Sequence, residues 1–241
     1  MTDASASEDA TTGPRSKKGA ETRARLLEAA KVVFENTGFL DARISDIAKQ
    51  AGLSHGSFYH YFDSKEQVFR EVAEEQEALL TALPGPDAVD TSGATTSADP
   101  TDDGITEYER IRRANRLYLE RYRANGRIMG VIEEVSRYDT EVSKARMQRQ
   151  KHFADRSERA VRRLQAAGDA DPTVDPEIAA LALGSMVART AELLLIEHWA
   201  EYEIDTVNDQ LTLLWANALG LTGPDGTTAG ARRTGGNGST A

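Results

Sequence analysis

The sequence predicts an all-α fold, with a small N-terminal helix-turn-helix domain and a larger C-terminal helical domain. Three observations predict it. Apolar residues recur every three or four positions through most of the chain, the period of a helix buried on one face. Helix-capping residues stand before these stretches, and glycines follow several of them. No run alternates with period two for long enough to make a convincing strand.

Composition narrows the classes. The 241 residues suffice for one large domain or two small ones and include no cysteine. That excludes disulfides, thiolate nucleophiles and thiolate metal sites, and it fits a reducing cytoplasm. The opening "MTDASASEDATTGPRSKKG" has no apolar run, so no signal peptide is expected. Net charge is −10, which argues against nucleic acid until its distribution is considered. Residues 15–31 carry six Lys/Arg against two Asp/Glu, a basic arm. Residues 71–104 carry nine acids and no base, residues 105–165 sixteen bases against nine acids, and residues 166–241 three bases against eleven acids.

The elements follow in order. Residues 1–18 read as a disordered tail, because nothing there offsets the entropy of ordering. Leu26, Ala30, Val33 and Phe34 place a helix over 20–37, and Gly38 stops it. Ile44, Ile47 and Ala48 mark a short second helix at 44–51. Gly52 ends it, since glycine turns the chain there without a Cβ penalty. Ser54 caps a third helix over 55–61, with Leu53 and Phe58 spaced as a hydrophobic staple. Ser64 and Gln67 have capping-box spacing for a fourth helix, about 65–82, with an acidic polar face.

Residues 84–104, rich in Pro, Gly, Asp, Ser and Thr, read as a flexible insertion. Thr106 with Glu109 opens a helix to about 125, and others are expected at about 127–137 and 140–167. Asp175, Pro176 and Glu177 give the clearest start signal, for a helix to about 201. A last helix covers about 207–220, and 222–241 reads as a second disordered tail. The domains are thus 19–64 and 65–221. The most apolar stretch, 178–200, contains Arg189 and Glu192. A charge at a membrane centre costs roughly 2.5–3.5 kcal/mol, so this stretch reads as a buried helix rather than a span.

The stretch "GLSHGSFYHYFDSKE", 52–66, concentrates histidine and tyrosine in a chain with four histidines. Phe58 and Phe62, four apart, anchor the third helix on a core of Phe34, Ile47 and Leu53. His55, Gly56, Ser57, Tyr59 and His60 are left on the other faces, where ring and hydroxyl donors suit base edges and phosphates. Gly56 permits close approach. The alternative is an aromatic helix that merely fills a core. Against it, a buried Tyr or His needs a partner. The order of basic arm, supporting helix, short helix, glycine turn and capped short helix is the plan that puts the second short helix in a DNA major groove.

Residues 24–72 resemble the signature domain of TetR-family transcriptional regulators, and "IA..AG.S.G..Y.YF.SKE" matches in order and spacing from Ile47 to Glu66. The resemblance implies a homodimer, a three-helix DNA-binding domain, a larger helical domain with a ligand pocket, and double-stranded operator DNA as partner. By position, Ser54, His55, Gly56, Ser57, Tyr59, His60 and Tyr61 inherit the recognition-helix role, with Tyr59 and Tyr61 as backbone clamps. Lys65 and the start of helix two inherit phosphate contacts. The family often has Thr or Ser before helix two; here Ala42-Arg43 stands there, and Arg43 is the candidate instead. Tyr61 sits where histidine is common.

For the second domain, helix 176–201 is apolar on nearly every side and must be covered on every side. With the last helix it is expected to form a four-helix dimer interface through Leu194, Trp199, Leu211, Leu214 and Trp215; the alternative is a core within one chain. Candidate pocket residues are Tyr118, Tyr122, Met129, Ile132, Val135, Met147, Phe153 and Met186, side chains that suit a deformable, mostly apolar pocket. Helix 140–167 carries Lys144, Arg146, Arg149, Lys151, Arg156, Arg159, Arg162 and Arg163. These read as a solvated basic face, or as the receptor for an anionic effector such as an acyl-CoA.

An enzyme has little support. There is no glycine-rich phosphate loop, and the Glu-x-x-His spacing of a di-metal bundle is absent. No catalytic residue, metal site, cofactor or membrane partner is assigned. The sequence thus points to a cytoplasmic, ligand-released homodimeric repressor on a near-palindromic operator. The alternative is a DNA-binding activator or architectural factor without an effector.

Overall fold

The computed structural model describes residues 17–81 and 105–221, all-helical apart from turns and connections. The expected insertion at 84–104 and tail at 222–241 lie outside the described residues, as does the first tail up to residue 16. Lys17 and Lys18, assigned to that tail, already belong to the first helix. The described helices are α1 (Lys17–Asp41), α2 (Ile44–Gln50), α3 (His55–Phe58), α4 (Lys65–Thr81), α5 (Glu107–Ala124), α6 (Gly126–Ser136), α7 (Thr140–Ala167), α8 (Pro176–Leu195) and α9 (Ile204–Leu219). The chain divides into two compact units, Met1–Ala73 and Glu74–Ala241. The division falls within α4, nine residues beyond the boundary read from the sequence.

In the first unit, Leu26, Phe34, Ile47, Phe58, Phe62, Val68 and Phe69 are fully buried. Phe34 and Phe39 both meet Phe69 edge-on, with ring centroids 5.0 and 4.9 Å apart. Gly38 breaks α1 at φ 73°, a conformation that favours glycine, and so turns Phe39 into this cluster. Arg23 pairs with Glu71 and lies 4.8 Å over the Phe62 ring.

In the second unit α7 packs along α8 and α5 along α9. Leu119, Ile128, Ile132 and Leu219 are fully buried there. Thr106 and Asp175 cap their helices as their sequences suggest, and Asp139 caps α7; each accepts from first-turn amides. Helix α8 is long and apolar enough to cross a membrane by length and composition. The face carrying Ala179, Leu183, Val187 and Ala191 is buried within this bundle, but only 28% of its apolar window is, so the helix is not covered on every side as the sequence predicts.

Two helix ends differ from expectation. The third helix stops at Phe58, and Tyr59–Tyr61 continue as a turn. Helix α8 ends at Leu195, not at 201. Its stop is His198 at φ 49°, with the Trp199 amide bonded to the Leu193 carbonyl at 3.0 Å and Glu197 held by Arg189 at 2.9 Å. A left-handed histidine does here what glycine usually does.

The aromatic cluster carries much of the first unit's stability. Phe34→Ala is expected to lower it by about 3–5 kcal/mol, measured by urea unfolding of the full chain.

Candidate nucleic-acid interface and ligand cavity

The recognition segment is built by packing from below. Its helix, four residues long, is far too short to stand alone. Phe58 and Phe62 are buried with centroids 5.6 Å apart, and they fix its inner side. Gly52 turns the chain at φ 66°. Ser54 then caps the helix, its Oγ accepting from the Ser57 amide at 3.2 Å and lying 2.7 Å from the Ser57 hydroxyl.

What remains outside is polar. Ser54, His55, Gly56, Tyr59 and His60 are exposed, and Ser57 and Tyr61 half-buried. The His55 and Tyr59 rings meet edge-on at 5.4 Å, which partly orders Tyr59 before any partner arrives. A Cβ on Gly56 would meet no atom within 4 Å. The fold therefore does not require glycine there. Arg43 is exposed at the N-cap of α2 and gives it no side-chain cap, leaving the first-turn amides of α2 without a side-chain acceptor.

Lys65 is placed differently from expectation. Its Nζ donates to the carbonyls of Phe39, Leu40 and Ala42 at 2.7, 3.1 and 3.0 Å and lies 4.6 Å over the Phe39 ring. An ammonium has three donors, so all are committed to the end of α1. Its role in this structure is to anchor α4 rather than to grip a phosphate.

The second unit holds a partly open cavity of about 160 Å³ among α5, α7, α8 and α9. Of the eight pocket candidates, Tyr118 and Phe153 line it, their rings edge-on at 5.8 Å. Tyr122, Met129, Ile132 and Val135 are buried in the core outside the lining, Met147 is 58% exposed, and Met186 is half-buried elsewhere. The sequence reading favoured large side chains, but small ones leave space. Ala180, Gly184 and Ala188, four apart on α8, face Ala154, Ser157 and Ala160 of α7 across the cavity. That spacing was legible and was missed.

Asn115, a buried polar residue of the wall, was also missed, and Arg149, read from the sequence as one of a basic row, is buried there beside it. Arg149 Nη1 lies 2.7 Å from Glu77 Oε2. Burial raises the Glu77 acid above the usual carboxylate range, against the pull of Arg149 and Arg146. Burial likewise raises the Tyr122 phenol above its usual range.

Two dimer candidates change place. Leu211 and Trp215 are buried within the chain, because the α9 face carrying them, with Asn208 and Leu219, is the one turned inward. Trp215 lines the cavity. Leu194 is half-buried and lines a smaller hollow with Tyr202. Leu214 and Trp199 are exposed, as are Ile178 and Leu181 of α8.

The basic helix α7 is largely paired: Lys144 with Glu141, Arg146 with Glu133, Lys151 with Asp155 and Arg162 with Glu158. On α5, Arg112 and Arg116 reach Asp209 and Asp205 of α9. Among the described residues no group of three or more His, Asp or Glu is placed to hold a metal ion.

Comparison with known proteins bears on both units. Residues 26–72 match the model of the bacterial regulatory proteins of the TetR family. Over 55 residues the chain is 53% identical to the HTH-type transcriptional regulator YdgC of Bacillus subtilis, covering 23% of this chain and 28% of that protein. The sequence match thus spans about a quarter of such a relative's length. Solved structures are similar over much more of the chain. SmeT, the repressor of the Stenotrophomonas maltophilia multidrug efflux pump SmeDEF, superposes with TM-score 0.61 at 22% identity, over 82% of this chain and 89% of SmeT. FadR of Bacillus subtilis, solved with stearoyl-CoA, gives 0.62 at 14% identity, over 81% and 98%. At those identities the likeness is one of fold.

Gly56→Ala is expected to leave folding intact or stabilise it by about 0.4–1 kcal/mol, while weakening DNA binding. Thermal melts and DNA titration on the same preparation check both. Tyr59→Ala should weaken DNA binding by more than about 1 kcal/mol without changing oligomeric state in sedimentation.

Proposed function

We propose that this chain is a sequence-specific transcriptional regulator of the TetR family of bacterial regulatory proteins, whose model residues 26–72 match, and that a small molecule in its helical unit releases it from DNA. The observation that carries this reading is the exposed polar aromatic surface of His55, Tyr59 and His60 on a helix pinned by Phe58 and Phe62. A core-filling helix would bury those rings and pair their polar atoms. Here they face outward beside an uncapped α2 N-terminus and Arg43, the arrangement that places base-edge donors next to phosphate contacts.

The chain acts as a homodimer in the cytoplasm, with Leu214 and Trp199 at the interface and Ile178 and Leu181 beside them, since these apolar side chains are uncovered in the single chain. Two recognition helices then read half-sites about 34–36 Å apart, or a multiple of that. Release follows from a ligand that favours a dimer whose reading heads no longer match this spacing. Full switching takes roughly a 10⁴-fold difference in affinity, about 5.5 kcal/mol. The cavity supports a ligand-released repressor over an activator or architectural factor without an effector. The relatives are regulators, and the reading assigns no catalytic step.

Selection of the full chain against a random duplex pool at near-physiological salt tests the proposal. Enrichment of one near-palindrome is expected. Its affinity should fall linearly on logarithmic axes with salt, by about 0.9 decade per decade for each phosphate neutralised. A folded, dimeric chain that enriches nothing would contradict it.

A further inference from the structure

Arg149 and Glu77 are the most deeply buried ion pair described, with side chains 4% and 5% exposed. Nη1 and Oε2 lie 2.7 Å apart, but neither atom is aligned in a hydrogen bond, and the second Glu77 oxygen also has no hydrogen-bond partner. Such a pair is a poor stabiliser. Removing each charge from water costs several kcal/mol, and the attraction offsets this only when the remaining hydrogen bonds are made. Two apolar side chains would hold α4 to α7 at least as well, so stability alone does not explain the pair.

Its position suggests another use. Arg149 borders the cavity, whereas Glu77 is outside the lining. One guanidinium, with five donors in a planar fork, therefore stands between the ligand space and the carboxylate of α4. The wall holds a second waiting donor: Trp215, 9% exposed, has its indole Nε1 buried without a hydrogen-bond partner. Nearby the Asn115 amide makes only a 3.4 Å bond to Thr212. Around these the lining is mostly apolar, with Ile111, Phe153 and Leu164, and the charged residues Glu107 and Arg156 also border it. Buried donors short of acceptors in an apolar cavity ask for a ligand that brings an acceptor. The group already at Arg149 is a carboxylate, so the geometry for one is present.

We infer that the cavity takes an apolar molecule ending in a carboxylate, and that this carboxylate competes with Glu77 for Arg149. The inference deepens the reading of this chain as an effector-released regulator and rests on it for its consequence on DNA. The ligand carboxylate takes the guanidinium, and Glu77 leaves it. Burial already raises the Glu77 acid, so a Glu77 without Arg149 binds a proton rather than staying a bare charge. Arg146 and Glu133, which also act on Glu77, are paired with each other and add little net charge. The exchange loosens the end of α4, whose first turns, through Val68, Phe69 and Val72, belong to the DNA-binding unit.

The test uses the full chain carrying Trp199→Phe, which leaves Trp215 as the single tryptophan of the two in the sequence. Dodecanoate, below its micellar concentration, should change Trp215 emission saturably. Dodecanol, equal in length and uncharged, should bind at least tenfold more weakly. The double variant Glu77→Leu, Arg149→Met keeps the site buried and neutral, and should bind both probes within about twofold of each other. Arg149→Lys, which keeps the charge but loses the fork, is the second variant and should lose most of the preference. Equal binding of the two probes by the parent chain, no binding of either, or an unchanged preference in the double variant would overturn the inference. In the unsubstituted full chain, saturating dodecanoate should also lower affinity for a selected duplex at least tenfold. A chain that selects DNA but holds it equally with dodecanoate bound overturns the exchange at Glu77 and leaves the regulator reading intact. A chain that selects no DNA yet prefers dodecanoate through Arg149 overturns the regulator reading and leaves the carboxylate site.

Discussion

Helix α4 is the constraint on which the rest depends, because it is held at both ends by charges that have nowhere else to go. At its start the Lys65 ammonium gives three donors to the last carbonyls of α1, and Phe69 closes the aromatic cluster with Phe34 and Phe39. Near its end Glu77 faces Arg149 in a buried pair. The recognition helix has four residues and cannot hold its own shape. Its position is therefore a property of the packing around it, in which α2 is its main neighbour. A helix anchored firmly at one end and by a costly, exchangeable pair at the other is suited to passing a change from one unit to the next. Biasing it requires only a ligand that interacts differently with the two states.

The charge layout has the same logic. The chain is acidic as a whole, yet its middle is basic and its last third acidic. Folding brings these blocks together: Arg112 and Arg116 meet Asp209 and Asp205. Most such pairs are exposed and contribute little to stability, typically about 0–1 kcal/mol each. Their effect is to remove the excess positive charge of α5 and α7 as a broad anion-binding face. What stays distinctive among the described residues is Arg149, buried at a cavity, where a charge counts far more than at the surface.

Local chemistry made the first unit legible in the sequence. Gly52, Ser54, Phe58 and Phe62 each act over a few residues, and the structure puts each where its chemistry demands. The caps at Thr106 and Asp175 were legible for the same reason. Features set by distant partners were not. Lys65 bonds to carbonyls more than twenty residues away, and nothing in its neighbourhood says so. Leu211 and Trp215 are apolar whether they face a partner chain or their own core, and only the direction of α9 decides. The end of α8 depends on a histidine adopting a glycine-like backbone, against its usual preference. The cavity was sought in large side chains, although space is left by small ones.

Reciprocity between the two units tests the account most directly. The affinity of the full chain for dodecanoate would be measured by calorimetry, alone and then saturated with its selected duplex. Linkage requires DNA to weaken dodecanoate binding by the same factor by which dodecanoate weakens DNA binding, and the account predicts a factor of at least ten in each direction. Equal dodecanoate affinity with and without DNA, from a chain that binds both, would mean that α4 carries no coupling between them.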